Sequence, residues 1–189
     1  MNIYVLTIDV LFVKRRECVI GASSLVTAMI AGCSGDSDSA TPTQTANTGN
    51  HLEAAAEAIQ NAKDAISTEA DKFSESSVDS GDGIDVQTST ATEYIDTASS
   101  ELDTAKQGAS TSQQETIDAA RNWISYGRAV IKFLDVFADG YSELTTALTY
   151  MESERYSDSA DSFQAAGGTL SDSDSKLTIV RDRSENLTE

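Results

Sequence analysis

At 189 residues and 39% hydrophobic content, the chain has material for one modest core and hence for a single domain. Its 13 Lys and Arg against 31 Asp and Glu give a net charge of −18, which argues against nucleic acid as a partner because phosphate binding needs a basic footprint. Disorder is a poor account of this charge, since eight aromatic residues fall between Trp123 and Phe163 in a stretch with apolar periodicity. The acidic residues are spread along the chain among Ser and Thr, while Lys is scarce. That spread fits adaptation to concentrated salt, where at ~1 M the Debye length falls to ~3 Å and self-repulsion is screened.

The N-terminal segment has the order of an export signal. Lys14-Arg15-Arg16 is followed by an apolar run from Cys18 to Ile30, and then by the small-residue site Ile30-Ala31-Gly32-Cys33. The run is shorter than the ~20 apolar residues a spanning helix requires, and Gly21, Ser23, Ser24 and Thr27 dilute it further. Residues 1–33 are therefore expected to be a removable signal segment.

Ile30-Ala31-Gly32-Cys33 resembles a lipobox, and Arg15-Arg16 ahead of the apolar run resembles a twin-arginine export signal, although Cys18 stands where a bulky apolar residue is usual. Together they are similar to the precursors of haloarchaeal twin-arginine lipoproteins. The resemblance covers about residues 13 to 36. It implies a two-chain lipid on the Cys33 sulfur, enough for stable anchoring at ~0.8 kcal/mol per buried CH₂, and a location on the extracellular face of the cell membrane. The apolar stretch from Met1 to Val13 precedes the arginines, where such a signal should begin with charge. Translation is accordingly expected to start at Val13. With Cys18 removed and Cys33 alkylated, the mature domain has neither free thiol nor disulfide.

Residues 34–49 are rich in Ser, Thr and Asp and hold the only proline, Pro42, and so read as a flexible tether. Residues 50–189 then show four helical strides. Leu52, Ile59, Ile66 and Phe73 recur at seven-residue spacing with Ala55 and Ala62 three positions after the first two. Ile95 and Leu102 alternate with Ala91, Ala98 and Ala105. The third segment carries two rows. One holds Ile117, Ile124 and Ile131 with Ala120, Gly127, Leu134 and Tyr141; the other holds Trp123, Val130, Phe137, Leu144 and Met151. Two rows predict the most buried helix. The fourth segment has Tyr156, Phe163, Leu170 and Leu177, with Ala166 and Val180 beside them.

Asn50 with Glu53, Thr90 with Glu93, and Ser112 with Glu115 have capping-box spacing, which sets the expected helix starts. Asp79 to Gly83 and Gly108 mark breaks, the third junction is placed near Ser153, and Gly167-Gly168 is expected to kink or interrupt the last helix. Short connections predict an all-α, antiparallel up-down four-helix bundle with close contacts at the Ala and Gly positions. The segment Tyr156 to Ala166 also resembles the second half of a tetratricopeptide repeat, once and without its terminal proline.

Chemistry-bearing patterns are sparse. His51 is the sole histidine and is expected to sit on the surface at a helix start. The acidic clusters Asp36 to Asp38, Asp79 to Asp85 and Asp172 to Asp174 read as solvated surface rather than metal sites. No catalytic residue, metal or cofactor is expected, and the domain is not expected to be an enzyme. Arg121, Arg128 and Lys132 share one side of the third helix near Trp123, a cluster read either as ion pairs with neighbouring helices or as a ligand site. Asn186-Leu187-Thr188 is an N-glycosylation sequon. The sequence thus predicts a lipid-anchored surface module contacting a surface protein or the envelope, with a small-ligand sensing bundle or a tetratricopeptide-like scaffold as alternatives.

Overall fold

The computed structural model describes residues 42–75 and 83–187. The signal segment, the lipobox and Asp36 to Asp38 lie outside them, as do the first half of the tether, Asp79 to Asp82 and Thr188. Among the described residues are four helices and no strand: α1 (Pro42–Glu75), α2 (Ser89–Lys106), α3 (Thr111–Glu152) and α4 (Tyr156–Glu185). The chain is an all-α, up-down helical bundle.

Two antiparallel hairpins make up this bundle, α1 with α2 and α3 with α4, each joined by close backbone approach. The small residues of the heptad rows allow it. Ala55, Ala62, Ala91, Ala98 and Ala105 are buried along the first hairpin. Helix α3 then packs against both α1 and α2 through Ile117, Ile124, Ile131 and Leu134, while α4 leans almost entirely on α3. Each fully buried Ile or Leu, such as Ile95, Leu102 and Ile117, contributes about 1.5–3 kcal/mol by leaving water. Helix α3 holds the largest number of buried residues, but α1 buries a larger share of its described length, and along the second row of α3 burial falls from Trp123 and Val130 to the half-buried Phe137. That ring meets Phe73 near the end of α1 at 5.2 Å and Phe133 at 5.6 Å, whereas Met151 is 45% exposed.

Several boundaries differ from the sequence expectation. Helix α1 begins at Pro42, eight residues before Asn50, so the second half of the expected tether is helical. Pro42 occupies the first helical position, where its missing N–H costs nothing, and Thr48 is buried one turn ahead of Leu52, extending the apolar face with a hydroxyl residue. His51 therefore lies within the helix and not beside a cap. Helix α2 starts after Thr88, not Thr90, and α3 after Ser110, where the Ser110 N–H donates to Gln113 Oε1 at 2.9 Å. The connection into α2 is pinned by the buried Glu69 carboxylate, which accepts from Lys72 Nζ and from the Gln87 N–H, both at 2.7 Å.

The junction at Ser153 is a Schellman motif built without glycine. The Arg155 N–H reaches the Tyr150 carbonyl at 2.9 Å and the Glu154 N–H reaches Met151 at 3.1 Å, with Glu154 at φ 60°. The Arg155 guanidinium covers the Tyr150 ring at 4.1 Å, closing the motif.

Helix α4 runs unbroken through Gly167-Gly168. Its buried row is Ser159, Ala166, Ser173 and Val180, a heptad of small residues, in place of the expected row led by Tyr156 and Phe163. Those two are 68% and 38% exposed. The small row lets α4 approach α3 so closely that a Cβ on Gly140 would lie 2.9 Å from Leu170 side-chain carbons and 3.2 Å from its backbone nitrogen.

These contacts separate the glycines into two kinds. Gly140→Ala is expected to destabilise by about 1–3 kcal/mol through overpacking, whereas Gly167→Ala and Gly168→Ala, whose Cβ atoms meet nothing within 4 Å, are expected to stabilise by up to about 1 kcal/mol each. Urea denaturation of the three variants checks the contrast. In the same assay Glu154→Gly is expected to gain about 1 kcal/mol, because only glycine adopts the left-handed conformation without a steric penalty.

Candidate functional site

Of the side chains singled out in sequence, Arg121, Arg128 and Lys132 come together in the structure. They stand on one face of α3 at i, i+7 and i+11, and line an open groove bordered by Ser99 of α2 and by Lys176, Ile179 and Arg183 of α4. Ile124, Ser125 and Ala129 form its floor, and its volume is about 500 Å³. Five basic residues thus meet in one groove of a chain in which acids outnumber bases by 31 to 13.

Trp123 is not part of it. It is buried on the side of α3 facing α1, where Lys63 Nζ lies 5.4 Å from its ring centre. A residue two positions from Arg121 on a helix points away from it, so adjacency in sequence placed Trp123 wrongly. Burial lowers the Lys63 pKa below its ordinary value, with the Asp64 charge opposing that shift.

The five cations are not equivalent. Arg121 pairs with Asp103, and Arg128 Nη2 with Asp96 Oδ1 at 2.8 Å, so the ion-pair reading of these two holds. Both carboxylates belong to α2 and are well exposed, so these are weak, exchangeable pairs of ~0–1 kcal/mol each. Lys176 lies 3.4 Å from Asp172 within its own helix. Arg183 donates to the Ser125 hydroxyl, a neutral acceptor, and neither Arg183 nor Lys132 has a carboxylate partner among the described residues. The lining supplies guanidinium, ammonium and hydroxyl donors, suited to holding an anion.

The α4 contribution was not read from sequence. Lys176, Ile179 and Arg183 have the i, i+3, i+7 spacing of one helical face, but nothing local says that this face meets the cationic face of α3. Elsewhere, His51 Nδ1 lies 2.6 Å from Glu101 Oε2, tying the first part of α1 to the last part of α2. Among the described residues no group of three or more His, Cys, Asp or Glu side chains is placed to hold a metal, and no helix is long and apolar enough to cross a membrane.

Compared with family models, with curated proteins and with solved structures, the chain matches none.

Proposed function

We propose that the chain is a lipid-anchored module on the extracellular face of the cell membrane, exported through its Arg15-Arg16 signal and held by a lipid on Cys33, which presents a helical end to a surface-protein or envelope partner. The observation that carries this reading is the opposition of the two ends of the body. The chain enters α1 beside the end of α2 and the start of α3, the end held by His51 with Glu101 and by Arg121 with Asp103. From there α3 runs 42 residues, about 63 Å at ~1.5 Å per residue, to the Ser153 turn. A lipid attached before α1 therefore leaves the α3–α4 turn as the distal end.

That distal end carries what a partner surface uses. Met151 and Tyr156 are exposed on either side of the turn, and Phe163 lies two helical turns further along α4. Aromatic and Met side chains are enriched at protein interfaces, and here they interrupt an otherwise acidic exterior. The charge of the rest of the chain supports a high-salt setting, since spread carboxylates without compensating lysine repel one another unless ions screen them.

Two measurements test the proposal. Cys33→Ser is expected to move the protein from the membrane fraction to the soluble fraction and to abolish lipid labelling; unchanged membrane retention would refute the anchor. Diluting salt from about 1 M to about 10 mM, where the Debye length grows from ~3 to ~30 Å, is expected to weaken the helical circular dichroism of residues 34–189. Helicity insensitive to that dilution would refute salt adaptation and leave the anchor untouched.

A further inference from the structure

We propose that the groove between α2, α3 and α4 is a binding site for a small organic anion carrying at least two negative charges and an apolar portion, with Lys132 and Arg183 as its primary anchors. The argument begins with charge supply. Ten Lys and Arg residues are described in this acidic chain, and five of them line this one groove. Arg121, Arg128, Lys72, Arg155 and Lys176 each have an Asp or Glu partner. Lys132 and Arg183 lack such partners among the described residues and stand on facing helices, lining a concave surface that holds no Asp or Glu.

The sequence supplies that arrangement. Ser125 and Ala129 lie in residues 119–134 of α3, which hold no Asp or Glu, and Ser99 and Ile179 are neutral positions within acidic segments of α2 and α4. The Ser125 hydroxyl orients the Arg183 guanidinium along the floor, leaving further N–H donors for a ligand. Arg121 and Arg128 flank the site with exposed Asp103 and Asp96 as their partners. A phosphate or carboxylate group entering the groove exchanges for these side chains at small cost, since pairs of this exposure contribute little.

Ile124, Ala129 and Ile179 form the apolar side of the groove, and Ile179 is left half-exposed there by the fold. A volume of about 500 Å³ falls within the range of small-molecule sites. The ligand chemistry that satisfies both sides is an aryl or alkyl group joined to a phosphate or to several carboxylates. Phosphate suits the planar guanidinium groups particularly well.

The test uses phenyl phosphate as probe and the purified full chain, at the lowest salt that preserves full helicity. Saturable binding by calorimetry is expected, with inorganic phosphate and phenol each binding more weakly than phenyl phosphate. Lys132→Gln and Arg183→Gln, both at exposed positions, are each expected to weaken binding about tenfold, as loss of one charge-assisted hydrogen bond implies, and Lys106→Gln, outside the groove, to leave it unchanged. A variant-independent readout accompanies these: wild-type affinity is expected to fall as KCl rises. Absence of saturable binding overturns the proposal. Equal losses in all three variants overturn it as a diffuse charge effect, and binding of phenol as tight as that of phenyl phosphate overturns it as an apolar slot.

Discussion

The cationic groove and the distal turn both depend on the close approach of α4 to α3. That approach exists because the facing residues are small: Gly140, Ala138 and Ala147 on one helix, Ser159, Ala166 and Ser173 on the other. A seam of this kind buries little apolar area per residue, so dispersion contacts and satisfied hydroxyls take a larger share of the stabilisation than in a Leu-rich core. Ser159 Oγ donates across the seam to the Ala147 carbonyl at 2.9 Å, and Thr169 Oγ1 to Glu143 Oε2 at 2.7 Å. These bonds fix the register of α4 along α3. Helix α4 has little contact with α1 and α2, which it meets chiefly through Val180 in the shared core.

Because the register is fixed, the C-terminal third of α4 arrives beside the middle of α3, and Lys176, Ile179 and Arg183 face Arg128 and Lys132 across the groove. A slip of one heptad along a seam of alternating Ser and Ala would change the apolar fit little, but it would move Leu170 off Gly140. The one position where a bulky side chain meets a missing one therefore selects among otherwise similar registers.

The sequence made the helices of the first hairpin and of α3 legible because large apolar residues marked their inner faces at seven-residue spacing, and Leu52, Ile59, Ile95, Leu102, Ile117 and Ile124 are all buried. The inner face of α4 was illegible for the converse reason. It consists of Ser, Ala, Ser and Val, while Tyr156 and Phe163, the residues hydrophobicity favours, point outward. Caps failed by two residues at α2 and α3 because Ser and Thr are so frequent that several positions offer an acceptable acceptor. The Ser153 turn was placed without a glycine signal, and its Schellman bonds account for the stop. Half of the cationic groove was visible as Arg121, Arg128 and Lys132. The other half depended on the register of a seam whose residues carry almost no hydrophobic pattern.

Charge and packing converge on the same elements. Bulky apolar residues are concentrated where α1, α2 and α3 meet, so that body can be held together against the repulsion of its acidic exterior. The α3–α4 extension has only the small-residue seam, supplemented by local pairs such as Arg155 with Asp158 at 2.6 Å. Repulsion between Asp and Glu on its two helices has less apolar burial to oppose it there. Loss of screening ions should therefore loosen α4 from α3 before it opens the three-helix body. The groove, whose walls are α3 and α4, and the distal turn, which is their joint, both belong to the part of the fold most sensitive to the ionic surroundings.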